Sequence, residues 1–581
     1  MNSLWLTAKL PVADWVEKIT DWLTNNWAGL FNVLQVIGQK LMNGITNGLV
    51  AVPPFVFIII LTLAAFVISK KRWGLTLFTL IGLLYIYNQG LWQDLMNTLT
   101  LVLLSSVLSI IIGVPTGIWM AKSDKAKAVI TPILDFMQTM PGFVYLIPAV
   151  AFFGIGIVPG LFASIIFALP PTVRMTNLGI RDVPKDLTEA ADSFGSTGWQ
   201  KLTKVELPLA KGTIMAGINQ TTMLALSMVV IASMIGAPGL GRGVLQALQR
   251  AQVGVGFVNG LALVVLAIII DRFTQYLNQP KANRKPMTAK EKKTHRQKWF
   301  AGIVAAVVVL VGSGLINTHT NQAAQTKGTV NLAYINWDSE VASTNVIAQA
   351  LRQKGYTVDL TPLDNAVAWE SVAKGQSDAM VSAWLPNTHK AQYNKYKKDL
   401  VNLGPNLAGA KVGFVVPKYM TNVNSMTDLT DQANKTITGI EPGAGEMAAA
   451  ETTLKTYPNL KGWKLSASSS GAMTAALSKA YAAKQPIVVT GWSPHWMFSK
   501  YYLKYLKDPK GTMGKSENIN TMVRKGLKQD QPEAYKILDN FHWTTKDMES
   551  VMLKINKGEK PQQAAKDWIK ANQSRVNAWF K

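Results

Sequence analysis

A chain of 581 residues, 48% hydrophobic and only 16% charged, is too long for one ordinary domain and too apolar for a disordered polymer or a single compact enzyme. Its formal charge of +25 is not a nucleic-acid signal by default, because the apolar residues concentrate in the first half of the chain. Having no cysteine, it carries no disulfide, thiol nucleophile, Cys-ligated zinc or iron–sulfur cluster.

The first 45 residues mix Trp5, Trp15, Trp22 and Trp27 with scattered charges and no sustained apolar run. Residues 1–50 are therefore expected to form interfacial amphipathic helices, with a soluble cap packed on the membrane spans as the alternative. Apolar runs follow near 51–68, 73–88, 98–120, 129–153, 157–173, 212–235, 257–270 and 299–316. A span takes about 20 residues, so these predict a polytopic, all-α membrane domain over 51–275 with about eight spans in all, the last in a 276–326 linker. Around the prolines at 148, 159, 170 and 171 the limits of one or two spans are left open. Lys70, Lys71 and Arg72 occupy one turn and Lys122, Lys125 and Lys127 another, whereas 88–97 and 154–157 carry no Lys or Arg. The basic turns belong in the cytoplasm, as does 271–298 with nine Lys or Arg, which leaves everything after the 299–316 run outside. That run reads as an internal signal-anchor.

Between spans the chain turns polar at 181–211. Here Glu189-Ala190-Ala191 is followed after three residues by Gly195, and after nine more by Val205-Glu206-Leu207-Pro208. The alanines give a small-sided helical turn that a partner can approach closely. Gly195 permits a backbone turn closed to bulkier residues, and Pro208 can begin the next helix where its missing amide is harmless. This spacing on a cytoplasmic loop resembles the EAA-type coupling loop of ABC importer permeases, and the resemblance implies a separate ATP-hydrolysing partner that receives the loop in a groove. No nucleotide site is visible in the chain itself. Gly514-Lys515-Ser516 looks like the end of a phosphate loop, but Pro509 stands where its first glycine is required.

Residues 327–581 show no further long apolar run. Strands are expected at 329–335, 357–360 and 379–384, with helices at 341–354 and 364–375, a pattern that argues for an α/β domain with ligands at the strand ends. A composition shift near 408–417 and the strand-like 487–491 suggest a second lobe, with the helices after 529 bracing the first. Trp337, Trp384 and Trp492 each lie at or just after the end of an expected strand. Three rings converging in a cleft would cage a methylated ammonium by cation–π attraction, and core filling is the plain alternative for each. Asp338, Glu340 and Glu441 have no nucleophile or oxyanion site beside them, so solvated or helix-capping roles are expected rather than catalysis.

Asn336-Trp337-Asp338, Ser382-Ala383-Trp384-Leu385-Pro386, Gly439-Ile440-Glu441-Pro442-Gly443-Ala444-Gly445 and Gly491-Trp492-Ser493-Pro494-His495 resemble the glycine betaine-binding proteins of ABC importers. The order of the two halves is similar to the fused permease and binding-protein subunit of Gram-positive glycine betaine importers. The resemblance implies a two-lobed periplasmic-binding-protein-like domain fused to the permease, and a multi-pass location in a bacterial cell membrane with that domain outside. It further implies that Trp337, Trp384 and Trp492 surround the trimethylammonium, that the Gly439 and Ile440 amides receive the carboxylate, and that His495 assists on that side directly or from behind, a structural bond to the backbone near Pro494 being the alternative. Amides in a glycine-rich turn suit this task, since they bind an anion without a net charge. The chain is then no enzyme and holds no metal or cofactor, ATP and magnesium being bound by the partner ATPase. A second copy of the chain, in a two-plus-two complex, and anionic lipids at the basic 281–298 segment are further implied partners, with no nucleic acid among them. Import of carnitine, choline or proline betaine, and a membrane-anchored methylammonium receptor without transport, are the competing readings.

Overall fold

The computed structural model describes residues 10–70, 73–249, 252–278, 308–309 and 327–581. The expected basic segment 281–298, and the anchor 299–316 apart from 308–309, lie outside the described residues. Two compact units are present, one helical and one built on a β-sheet.

In the helical unit, Trp92–Lys122, Ile157–Arg181, Gly198–Ile235 and Val253–Tyr276 are long and apolar enough to cross a membrane. The number becomes six if each of two bent helix pairs is one span: Ala28–Ala51 with Pro54–Ile68, bent by 94°, and Asp124–Thr139 with Gly142–Phe153, bent by 106°. Trp73–Asn88 is apolar but only 16 residues long. The expected single span at 129–153 is therefore replaced by a sharp bend. Its cause is Pro141, which has no amide to donate and forces Met140 out of helical geometry to ψ 128°. Pro53 does the same to Val52, also at ψ 128°. Pro170 and Pro171 are both buried within Ile157–Arg181, which continues past them.

The helix Ala28–Ala51, expected at the membrane surface, is partly drawn into the packing. Gly38 approaches Val158, Met42 is buried, and the Thr46 hydroxyl donates to Thr100 Oγ1 at 3.0 Å. The central helices touch through small residues. A Cβ on Gly117 would lie 2.6 Å from the Val173 carbonyl oxygen, and one on Gly217 2.9 Å from that of Pro171. Lipid tails are as apolar as leucine, so close backbone approach and polar pairs such as Thr172 and Thr221, 2.7 Å apart, hold such helices together.

The second unit alternates strands and helices as the sequence predicts. Strands β1 (Thr329–Tyr334), β2 (Thr357–Pro362) and β3 (Ala379–Leu385) form one parallel group. The helices Asp338–Gln353 and Asn365–Ala373 connect them. Strand β4 (Leu400–Pro417) is 18 residues long and carries the chain into a second group, β5 (Thr436–Thr438), β6 (Lys464–Ser466) and β7 (Val488–Ser493), also parallel. A short β8 (Leu503–Tyr505) pairs with β4, and β9 (Glu517–Arg524) returns to the first group. The sheet order is β2-β1-β3-β9-β4-β7-β5-β6, so the antiparallel pair β4 and β9 joins the two lobes. Helices Thr545–Asn556 and Pro561–Ala571 pack on Asp338–Gln353 and brace the first lobe.

Candidate functional site

Trp337 ends the loop after β1 and precedes the helix Asp338–Gln353, while Trp384 lies in β3 and Trp492 in β7. All three are buried and line one cavity of about 310 Å³, together with Ser339, Thr388, Val412, Ile440 and Glu446. The sheet topology explains the convergence, since β1 and β3 reach the cavity from the first lobe and β7 from the second.

His389 lines the cavity too, and the sequence reading passed over it. The five-residue step from Trp384 folds back on itself: the His389 amide donates to the Trp384 carbonyl at 2.9 Å, and the Trp384 amide donates to His389 Nδ1 at 3.1 Å. With Nδ1 accepting, the proton of the neutral ring sits on Nε2, which has no protein partner. Complete burial pushes the imidazole down to about 3, so it stays neutral at physiological pH. Its ring stacks on Trp337 with centroids 6.0 Å apart.

His495 does not line the cavity. It lies fully buried beside Trp492, edge to face with centroids 4.5 Å apart. Its Nδ1 accepts from the Met497 amide at 3.0 Å, and Nε2 stands 3.3 Å from Asp338 Oδ2 without a well-aligned hydrogen bond. The Gly439 amide is also engaged elsewhere, donating to the Ser466 carbonyl at 2.8 Å. The Ile440 amide meets only the Met447 thioether, at 3.3 Å, a weak acceptor that a carboxylate can displace. A Cβ on Gly439 would lie 2.4 Å from the same sulfur, so a side chain there would displace the Met447 thioether.

The carboxylates expected to be solvated or capping behave otherwise. Glu441 accepts from Trp337 Nε1 at 3.1 Å with one oxygen and from the Ser470 amide at 3.0 Å with the other. Asp338 accepts from Trp496 Nε1 at 3.1 Å. Glu340 is buried, accepts from the Ile335 amide at 2.8 Å, and is pushed up to about 8 by loss of solvent.

In the helical unit, Lys185–Ser193 carries Glu189, Ala190 and Ala191, of which only Ala191 is buried. Gly195 ends the helix at φ +73°, with its amide on the Asp192 carbonyl and the Ser196 amide on that of Ala191, a Schellman closure. Phe194 and Trp199 flank this turn and are 90% and 73% exposed. Pro208 occupies the first turn of Leu207–Ala232 as expected, yet no loop precedes it. A π-turn at Leu202–Glu206 makes one continuous helical stretch from Gly198 to Ile235. Lys122 donates to Glu206 at 2.7 Å and ties this stretch to the helix Trp92–Lys122.

Among the described residues there is no cluster of three metal-ligating side chains. Residues 328–571 match the family described as the substrate binding domain of the ABC-type glycine betaine transport system, and residues 113–282 match the binding-protein-dependent transport system inner membrane component. The glycine betaine/carnitine transport permease protein of Listeria monocytogenes is 58% identical over 272 residues, covering 46% of this chain and 96% of the relative. The glycine betaine transport system permease protein of Bacillus subtilis is 50% identical over 276 residues, covering 48% and 97%. Among solved structures, the lactococcal OpuAC protein in its closed form with glycine betaine is 68% identical, covers 44% of this chain and 100% of that one, and gives a TM-score of 0.43. With a permease relative covered almost end to end and a binding domain beyond it, the chain belongs to the ABC importers of glycine betaine and related quaternary-ammonium osmolytes, as their permease and substrate-binding domain in one multi-pass membrane polypeptide.

Proposed function

We propose that this chain takes up glycine betaine itself, holding the trimethylammonium among Trp337, Trp384 and Trp492 and the carboxylate against His389 Nε2 and the Ile440 amide. The observation that carries this reading is the convergence of three indoles and one neutral, unpartnered imidazole donor on a single cavity. Three cation–π contacts at about 0.5–2 kcal/mol each reach at most about 6 kcal/mol, short of the roughly 8 kcal/mol of a micromolar complex. The carboxylate end must therefore supply the difference, which favours a zwitterion over choline. Binding draws the lobes together, and an ATPase partner, which binds ATP and magnesium, acts on the permease through the helix Lys185–Ser193. Two copies of the chain with two ATPase subunits complete the importer, and the basic 281–298 segment contacts anionic lipid.

Calorimetric titration of the solubilised full chain with glycine betaine, carnitine, choline and proline tests the reading. Saturable betaine binding, choline weaker by at least about tenfold, and loss of betaine binding in Trp384→Ala are expected. Equal affinity for choline and betaine would remove the carboxylate end of the site.

A further inference from the structure

Glu446 is a buried acid on the cavity wall that the reading above leaves without a task. It is 3% exposed, stands in the first turn of the helix Gly445–Thr456, and its Oε1 has no hydrogen-bond partner. The groups acting on it are the Gly491 amide from β7 and the carboxylate of Glu441 from the preceding turn. Tyr505 of β8 also faces it, and neutral His389 shares the cavity wall. Among these there is no cation. An ionised carboxylate here would be buried, unpaired and beside a second carboxylate, so burial and Glu441 hold the group well above the usual carboxylate range.

Two roles suit such an acid in a zwitterion site: a counter-charge for the ammonium, or a neutral donor to the carboxylate. The position selects the second. Glu446 stands in the first turn of a helix, the anion-favouring end, just after the turn that presents the Ile440 amide, whereas the indoles attract the ammonium without any charge. We propose that Glu446 enters the site as a neutral carboxylic acid and donates its O–H to the carboxylate of a zwitterionic ligand, which makes it a residue that selects ligands by charge. This rests on the reading of the cavity as a betaine site. Choline offers only a neutral hydroxyl where the zwitterion has a carboxylate, a weaker acceptor, so the zwitterion gains more from the O–H.

The test is titration of the full-length chain with glycine betaine and with choline in wild type, Glu446→Gln and Glu446→Leu, each in two buffers of different ionisation heat. The amide keeps a donor and should stay within about threefold of wild type for betaine, whereas leucine should lose at least about tenfold, with choline affinity within about threefold of wild type in both. Betaine binding should release no proton. Leucine binding betaine as tightly as wild type would overturn the proposal. So would release of about one proton per betaine in wild type but not in Glu446→Gln, since that marks a counter-charge. Should the leucine variant fail to fold, the proton count and the glutamine variant decide by themselves. A wild-type chain that binds neither probe would instead overturn the betaine reading of the cavity, so the two failures are distinguishable.

Discussion

Trp337 Nε1 donates to Glu441 Oε2 at 3.1 Å, which ties a ring of the cage in the first lobe to the turn that opens the second. A ring of the cage thus takes part directly in the contacts between the lobes, beside the bond from Trp496 Nε1 to Asp338. Replacing Glu441 with Gln weakens a charge-assisted bond between the lobes. The expected result is a dissociation rate for betaine raised about tenfold, with the association rate within about threefold, read by stopped-flow tryptophan fluorescence. An unchanged dissociation rate would show that this contact does not hold the closed form.

His389 and His495 should separate in mutagenesis. Removing the imidazole N–H that faces the cavity, in His389→Ala, should cost about tenfold or more in betaine affinity. His495→Gln should leave affinity within about threefold and lower the unfolding temperature instead, because the ring packs between Trp492 and Trp496. Parallel titrations and melts of both variants check this, and the opposite ranking would return the carboxylate to His495.

Two buried groups give the external unit opposing pH slopes. His389 titrates at about 3 when folded against 6.5 in its ordinary state, so the unfolded chain binds more protons between these values and stability falls as pH drops from 6.5. Glu340, pushed up to about 8 from 4.5, holds its proton in the fold. Its contribution is complete below 4.5 and is lost as pH rises toward 8. Melting curves across this range should show the acid slope flattened in His389→Asn and the alkaline slope flattened in Glu340→Gln. Slopes identical to wild type would assign the pH dependence to other groups.

Phe194 and Trp199 expose large apolar rings beside the Schellman turn, where an isolated subunit gains nothing from them. Alanine at both positions should leave betaine binding unchanged and reduce betaine-stimulated ATP hydrolysis of the assembled importer by at least about tenfold. Full ATPase stimulation in reconstituted vesicles would show that the partner does not use these rings.

The strands and helices from 329 to 384 were legible in the sequence because their alternation is local, and the three tryptophans could be picked out by their place at strand ends. What escaped the reading depended on distant partners. The histidine expected on the ligand side was His495, three residues from Trp492, and the chain after β7 places its ring against that indole and outside the cavity lining. His389 gave a weaker signal, lying five residues past Trp384, and only the backward fold of that loop brings it to the cavity wall. In the membrane unit, apolar runs located helices but not bends, since Pro141 interrupts an apolar run without altering its hydropathy, whereas the more conspicuous Pro170-Pro171 pair is accommodated inside a helix.

Strand β4 has one further consequence. Its pairing with β9 shifts register between Asn402 and Gly404, Pro405 and Leu407, and Ala408 and Ala410, just before the strand leaves β9 for β7. A register shift locally disrupts the ladder, so a rocking of one lobe against the other can be taken up at those three steps with little disturbance of regular pairs elsewhere. The cost of reopening after substrate release then falls on the contacts across the cleft and hardly at all on the backbone, which lets affinity and release rate be retuned by side-chain changes alone.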